Sequence, residues 1–160
     1  MWRSYCHPGE PDRRAARCLP DDLLRAHAGA STFDTRRSVT STTSPVAIVQ
    51  RQLDAYNAKD VSTWILTYAP DAEQFTLHGE RLAKGREEIR ARILIRFSEP
   101  DLHAQLIERV VMGNFVIDHE AITRNFEEGK GTIEMLCVYE VVDGYIQRAS
   151  FALGKRLLDA

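Results

Sequence analysis

The residues best suited to chemistry sit in "IDHEA", residues 117–121, where Asp118, His119 and Glu120 follow one another. A carboxylate and an imidazole are the usual pair for moving a proton near neutral pH. Strand residues alternate between faces, so Asp118 and His119 cannot both face one cavity unless a bulge intervenes, whereas Asp118 and Glu120 can. Asp118 and His119 are the catalytic candidates. Cys137 is a possible nucleophile by type, but no base or cation adjoins it in sequence to generate a thiolate. The five histidines show no i,i+2 or i,i+4 pairing. Cys6, His7, Cys18 and His27 lack the paired Cys-x-x-Cys spacing of a zinc site. No metal and no cofactor are expected.

The elements that position these residues follow from local pattern. Ser44-Pro45 starts a helix, with Ser as cap and Pro at the first helical position. Ile48, Val49, Gln52, Leu53 and Tyr56 continue it at helical spacing. Asp60 caps a second helix in which Val61, Trp64, Ile65 and Tyr68 share a face, and Pro70-Asp71 ends it. "AEQFTLHG" is a strand and "RLAKG" a short strand or arm. Gly85 opens a third helix, "REEIRARILIRF", striped by Ile89, Ile93 and Phe97. Four β-rich segments follow, separated by Gly113-Asn114, Glu128–Gly131 and Asp143-Gly144, the last a strong hairpin signal. The order α-α-β-β-α-β-β-β-β makes the fold α+β, an antiparallel sheet packed on helices.

The first 44 residues differ. They hold seven arginines and no lysine, end in "STTS", and lack sustained periodicity. They are expected to be a weakly ordered extension ahead of one domain at 45–160. With 160 residues, 44% of them hydrophobic, and a net charge of −2, nothing points to nucleic acid or acidic lipid. No apolar run suits a membrane span. Three cysteines without framework spacing favour a reduced, cytoplasmic setting.

"IVQRQLDAYNAKDVSTWILTYAPDA", the Gly-led "LAKGREEIRAR" and the hairpin "VYEVVDGYIQRASF" resemble the nuclear transport factor 2-like superfamily. It includes SnoaL-like polyketide cyclases, ketosteroid isomerases and limonene epoxide hydrolases. The resemblance covers about residues 45–158. It implies a cone: a curved sheet wrapped around the third helix, a hollow closed by the first two, and often a homodimer through the outer sheet face. It places Gln52, Tyr56, Trp64, Tyr68, Thr76, Met135, Cys137 and Tyr139 on the wall of that hollow.

The activities transfer less well. Ketosteroid isomerase uses an Asp base with a Tyr and a protonated Asp as oxyanion donors. A gapless match puts Thr76, Gln52 and Cys137 at those positions, so true isomerase chemistry is not expected. The epoxide hydrolase set needs Asp–Arg–Asp, for which Asp118, Arg148 and Glu134 are available. The same match turns Gln74, Thr76 and His78 inward and Phe75 and Leu77 outward, an odd pattern for a simple amphipathic strand. Two functions stay open: binding an apolar, partly oxygenated small molecule with cofactor-free acid/base chemistry, or a non-catalytic dimeric binding module.

Overall fold

The computed structural model describes residues 44–159. The expected extension, Ser44 apart, and the Cys6, His7, Cys18, His27 group lie outside the described residues. Helix α1 spans Pro45–Asn57 and starts as its residue types dictate: the Ser44 hydroxyl accepts from the Ala47 amide, and Pro45 sits where no N–H is needed. Its buried stripe is Ile48, Val49, Gln52, Leu53 and Ala55. Asn57 ends it by bonding both backbone groups of Ala104, at 2.9 and 2.7 Å, which ties the helix to strand β3 (His103–Met112).

Asp60 caps α2 (Val61–Leu66) by accepting from Thr63. This helix is shorter than the sequence pattern suggests. Tyr68 does not complete its apolar face but opens β1 (Tyr68–Thr76), opposite Ile146. The cause is Pro70, which disfavours helix at the residue before it, so the chain is extended ahead of the proline rather than stopped at it. Proline also lacks a donor, and the pairing of β1 is irregular between Tyr68 and Glu73.

Strand β2 (Arg81–Lys84) leads into α3 (Gly85–Phe97). Gly85 makes the junction at φ +74°, a conformation glycine adopts without a Cβ penalty. Glu88 closes the helix start by accepting from the Lys84 amide. Strands β4 (Phe115–Phe126), β5 (Gly129–Val142) and β6 (Tyr145–Leu158) follow β3 as successive hairpins. Asp143 and Gly144 both have positive φ, 50° and 80°, matching the turn that the Asp-Gly pair encodes.

The sheet order is β2-β1-β6-β5-β4-β3. It is curved and mixed rather than wholly antiparallel, because β1 pairs with β6 in parallel. No hairpin joins those two strands, so no turn signal specifies their direction. The helices cover one face. Inward residues Val116, Cys137, Tyr139, Ile146 and Ala149 meet Val49, Trp64, Ile89 and Ile93 in the main core. On β1, Gln74 is buried while Phe75 faces the other way beneath the Arg148 guanidinium, 3.9 Å from its ring centroid. Both faces of that strand are thus covered, which explains its reversed apolar pattern.

Candidate functional site: a cavity with one carboxylic acid

Between the helices and the inner sheet face lies a cavity of about 440 Å³. α1 supplies Gln52, Leu53 and Tyr56, α2 supplies Trp64, and β1 supplies Tyr68, Gln74 and Thr76. Ile89 and Ile93 of α3, Glu120 and Ile122 of β4, and Ile133, Met135 and Tyr139 of β5 extend a largely apolar wall. Of the wall residues expected from the sequence, Gln52, Tyr56, Trp64, Tyr68, Thr76, Met135 and Tyr139 lie on it. Cys137 does not: it is completely buried behind the wall, and its Sγ lies 3.7 Å from Glu120 Oε2. Burial pushes its thiol well up, with the Glu120 charge adding to this, so it packs as a small apolar group. His78 is exposed in the turn after β1.

Glu120 is the only carboxylic acid among the described residues that line the cavity. It is 3% exposed. Burial pushes its carboxyl up to about 7, and the neighbouring Asp118 charge adds to this. The Cys137 thiol and the Arg109 cation act in the opposite direction. A carboxyl in that range can both give and take a proton near neutral pH.

The two catalytic candidates from the sequence do not reach the cavity. Asp118 shares the inward face with Glu120 but is fully buried and clamped by Arg109. The Nε and Nη2 of Arg109 donate to its two carboxylate oxygens at 2.7 Å, and Nη1 donates to Gln50 of α1 at 2.8 Å. A carboxylate with both oxygens engaged in this way is an anchor and a source of field, not an accessible base. His119 points to the outer sheet face, half-exposed, with Nε2 3.9 Å from Glu134. The Asp118, Arg148, Glu134 set does not converge either, since Arg148 stacks on Phe75 and Glu134 neighbours His119, both on the outer face.

Two donors are left over. The indole Nε1 of Trp64 and the hydroxyl of Tyr68 are buried and find no acceptor among the described residues. Gln52 and Gln74 neighbour the Tyr68 hydroxyl without forming a hydrogen bond to it. Burial keeps the phenols of Tyr56, Tyr68 and Tyr139 protonated, so they are available as donors. Leaving a buried donor unpaired costs about 1–3 kcal/mol, which an oxygen-bearing ligand could offset. Thr76 accepts from the Glu80 amide through its hydroxyl and offers no base.

Glu120 carries a signal in the sequence. The alternation Val116, Asp118, Glu120, Ile122 puts two acids between apolar positions on one face, which marks that face as interior. Among the described residues no group of three or more His, Cys, Asp and Glu side chains could hold a metal ion. No helix there is long and apolar enough to cross a membrane.

A family profile describing a SnoaL-like domain matches residues 49–149. No curated protein matches the sequence. Among solved structures, a cystatin-fold protein from Novosphingobium aromaticivorans is similar at 24% identity and TM-score 0.64, over 68% of this chain and 97% of its own. A nuclear transport factor 2-like protein of unknown function from Cytophaga hutchinsonii aligns at 14% identity and TM-score 0.59, over 69% and 90%. A protein with a ketosteroid isomerase-like fold from Catenulispora acidiphila, in complex with trimethylamine, aligns at 15% identity and TM-score 0.59, over 69% and 86%. At these identities the likenesses bear on the fold alone.

Proposed function

Since the chain belongs to the SnoaL-like domain family, we propose that it binds an apolar, partly oxygenated small molecule in the cavity and shuttles a proton on it through Glu120. The observation that carries this reading is a lone carboxylic acid, raised to about 7, in a largely apolar hollow. Proton transfer next to a carbonyl suits such a site. The C–H bond breaks, the proton passes to a Glu120 oxygen, and the electron pair moves into the carbonyl as an enolate. Where a β,γ C=C bond of the substrate makes the intermediate a dienolate, returning that proton to the γ-carbon shifts the double bond into conjugation and completes an isomerisation with no co-reactant. Trp64 Nε1 and Tyr68 Oη are the donors for the developing oxyanion. This differs from ketosteroid isomerase, whose base and donor positions fall on Thr76 and Gln52 here.

The test is solvent exchange. Hydrophobic ketones, lactones and steroids incubated in D₂O should gain deuterium at the carbon beside the carbonyl. Glu120→Gln should slow that exchange about 10²–10⁴-fold. Binding of these compounds with no exchange above the buffer rate defeats the acid/base reading and leaves the non-catalytic binding module.

We also propose that two copies pair through the outer sheet face. Val110, Ile117 and Val138 form an apolar row across β3, β4 and β5, with Leu136 beside it. Val110 is 50% exposed and Leu136 36%. Light scattering at micromolar concentration should report a dimer, and Ile117→Lys a monomer. A wild-type monomer at that concentration defeats the pairing.

A further inference from the structure

The cavity wall is largely apolar, and three arginines stand among its residues. Wall residues that are also exposed mark where the cavity meets solvent: Ile95 at 72% and Leu153 at 67%, with Arg92 also exposed. Arg96 and Arg124 line the same cavity. A single carboxylate, Glu99, serves both of them, accepting from Arg96 Nη1 at 2.6 Å and from Arg124 Nε and Nη2 at 2.6 and 2.7 Å. Glu99 therefore cancels one of two charges. Arg92 has no hydrogen-bond or ion-pair partner among the described residues. Its guanidinium is a planar fork of donors that matches a carboxylate.

We propose that the ligand is an amphipathic carboxylate, its apolar body in the cavity and its anionic end on the Arg92 guanidinium at the rim. The assignment rests on the small-molecule reading above and sharpens it, since it fixes which end of the ligand faces out. The excess positive charge of Arg96 and Arg124 over Glu99 adds attraction without competing for the same contact. An oxygen on the buried part of the ligand would find the unpartnered donors of Trp64 and Tyr68, so an oxo-acid with an apolar skeleton is the substrate class that satisfies both groups.

Three probes of equal chain length separate the possibilities: decanoate, decanol and decyltrimethylammonium, measured by calorimetry at low salt and pH 6. At that pH decanoate is ionised while Glu120 is mostly protonated. Decanoate should bind at least about tenfold more tightly than decanol, and the cation most weakly. Arg92→Gln should remove most of the decanoate preference, leaving only the weaker pull of the Arg96 and Arg124 excess charge, and leave decanol unchanged. The substitution is on an exposed helix position, so folding is not at issue. Equal affinity of decanoate and decanol, or preference for the cation, overturns the carboxylate proposal while keeping the cavity reading. An unaltered decanoate preference in Arg92→Gln overturns the Arg92 assignment. Failure of all three probes to bind overturns both.

Discussion

Arg109→Met lowers the stability of the domain by about 3–5 kcal/mol at pH 7.5. The expectation rests on what the substitution leaves behind. The Asp118 side chain is 0% exposed and Arg109 is 12% exposed, and two 2.7 Å hydrogen bonds join them. Without Arg109, Asp118 must either stay ionised in an apolar interior or take up a proton, and both cost free energy. Loss of the Arg109–Gln50 bond also removes one tie between α1 and the sheet. A buried ion pair is not by itself a source of net stability, but breaking one by removing a single partner is costly. Urea denaturation at pH 7.5 measures the effect. A loss below about 1 kcal/mol would mean that the Asp118 clamp is not formed in solution.

Glu120→Gln changes stability in the opposite direction. Glu120 ionises at its ordinary 4.5 in the unfolded chain and at about 7 in the folded one. Below 4.5 it is protonated in both states and contributes nothing. Between the two values the unfolded chain sheds a proton that the folded chain keeps, so stability falls as pH rises through this window. Above 7 both states are ionised and the full penalty, at most about 3 kcal/mol, is in place. Glutamine has the same shape, still accepts from the Cys137 thiol, and carries no charge. The variant should therefore match the wild type near pH 4 and exceed it by up to about 3 kcal/mol at pH 8. Urea midpoints across pH 4–8 decide the matter, and parallel profiles for the two proteins would refute it. The group proposed to do the chemistry is thus one that the fold holds at a cost.

Much of this was legible in the residues, and the gaps have physical causes. Ser44-Pro45, Asp60, Gly85 and Asp143-Gly144 are local signals, and each marks a boundary in the structure. Tyr68 lies in β1 rather than in α2 because its helical spacing from Trp64 competes with Pro70, and the proline wins. The parallel β1–β6 pair joins strands far apart in sequence, beyond the reach of any turn pattern. The role of Arg109 is hidden by a break in alternation. Simple alternation from the inward Ala104 and Leu106 turns Glu108 inward and Arg109 out. A bulge between Leu106 and Glu108 reverses that parity and delivers Arg109 to Asp118. Asp118 and Glu120 were visible as a same-face pair. Which of them stays free depends on Arg109, so the sequence pointed to Asp118 and the structure leaves Glu120.

The carboxyl of Glu120 is the centre of the account, and its titration can be observed directly. With ¹³C-labelled glutamate, the side-chain carboxyl signal absent from Glu120→Gln identifies the residue in the wild type. That signal should titrate with a midpoint near 7. A midpoint near 4.5 would contradict the account, because a carboxyl so readily ionised would be neither buried in the cavity wall nor suited to returning a proton near neutral pH.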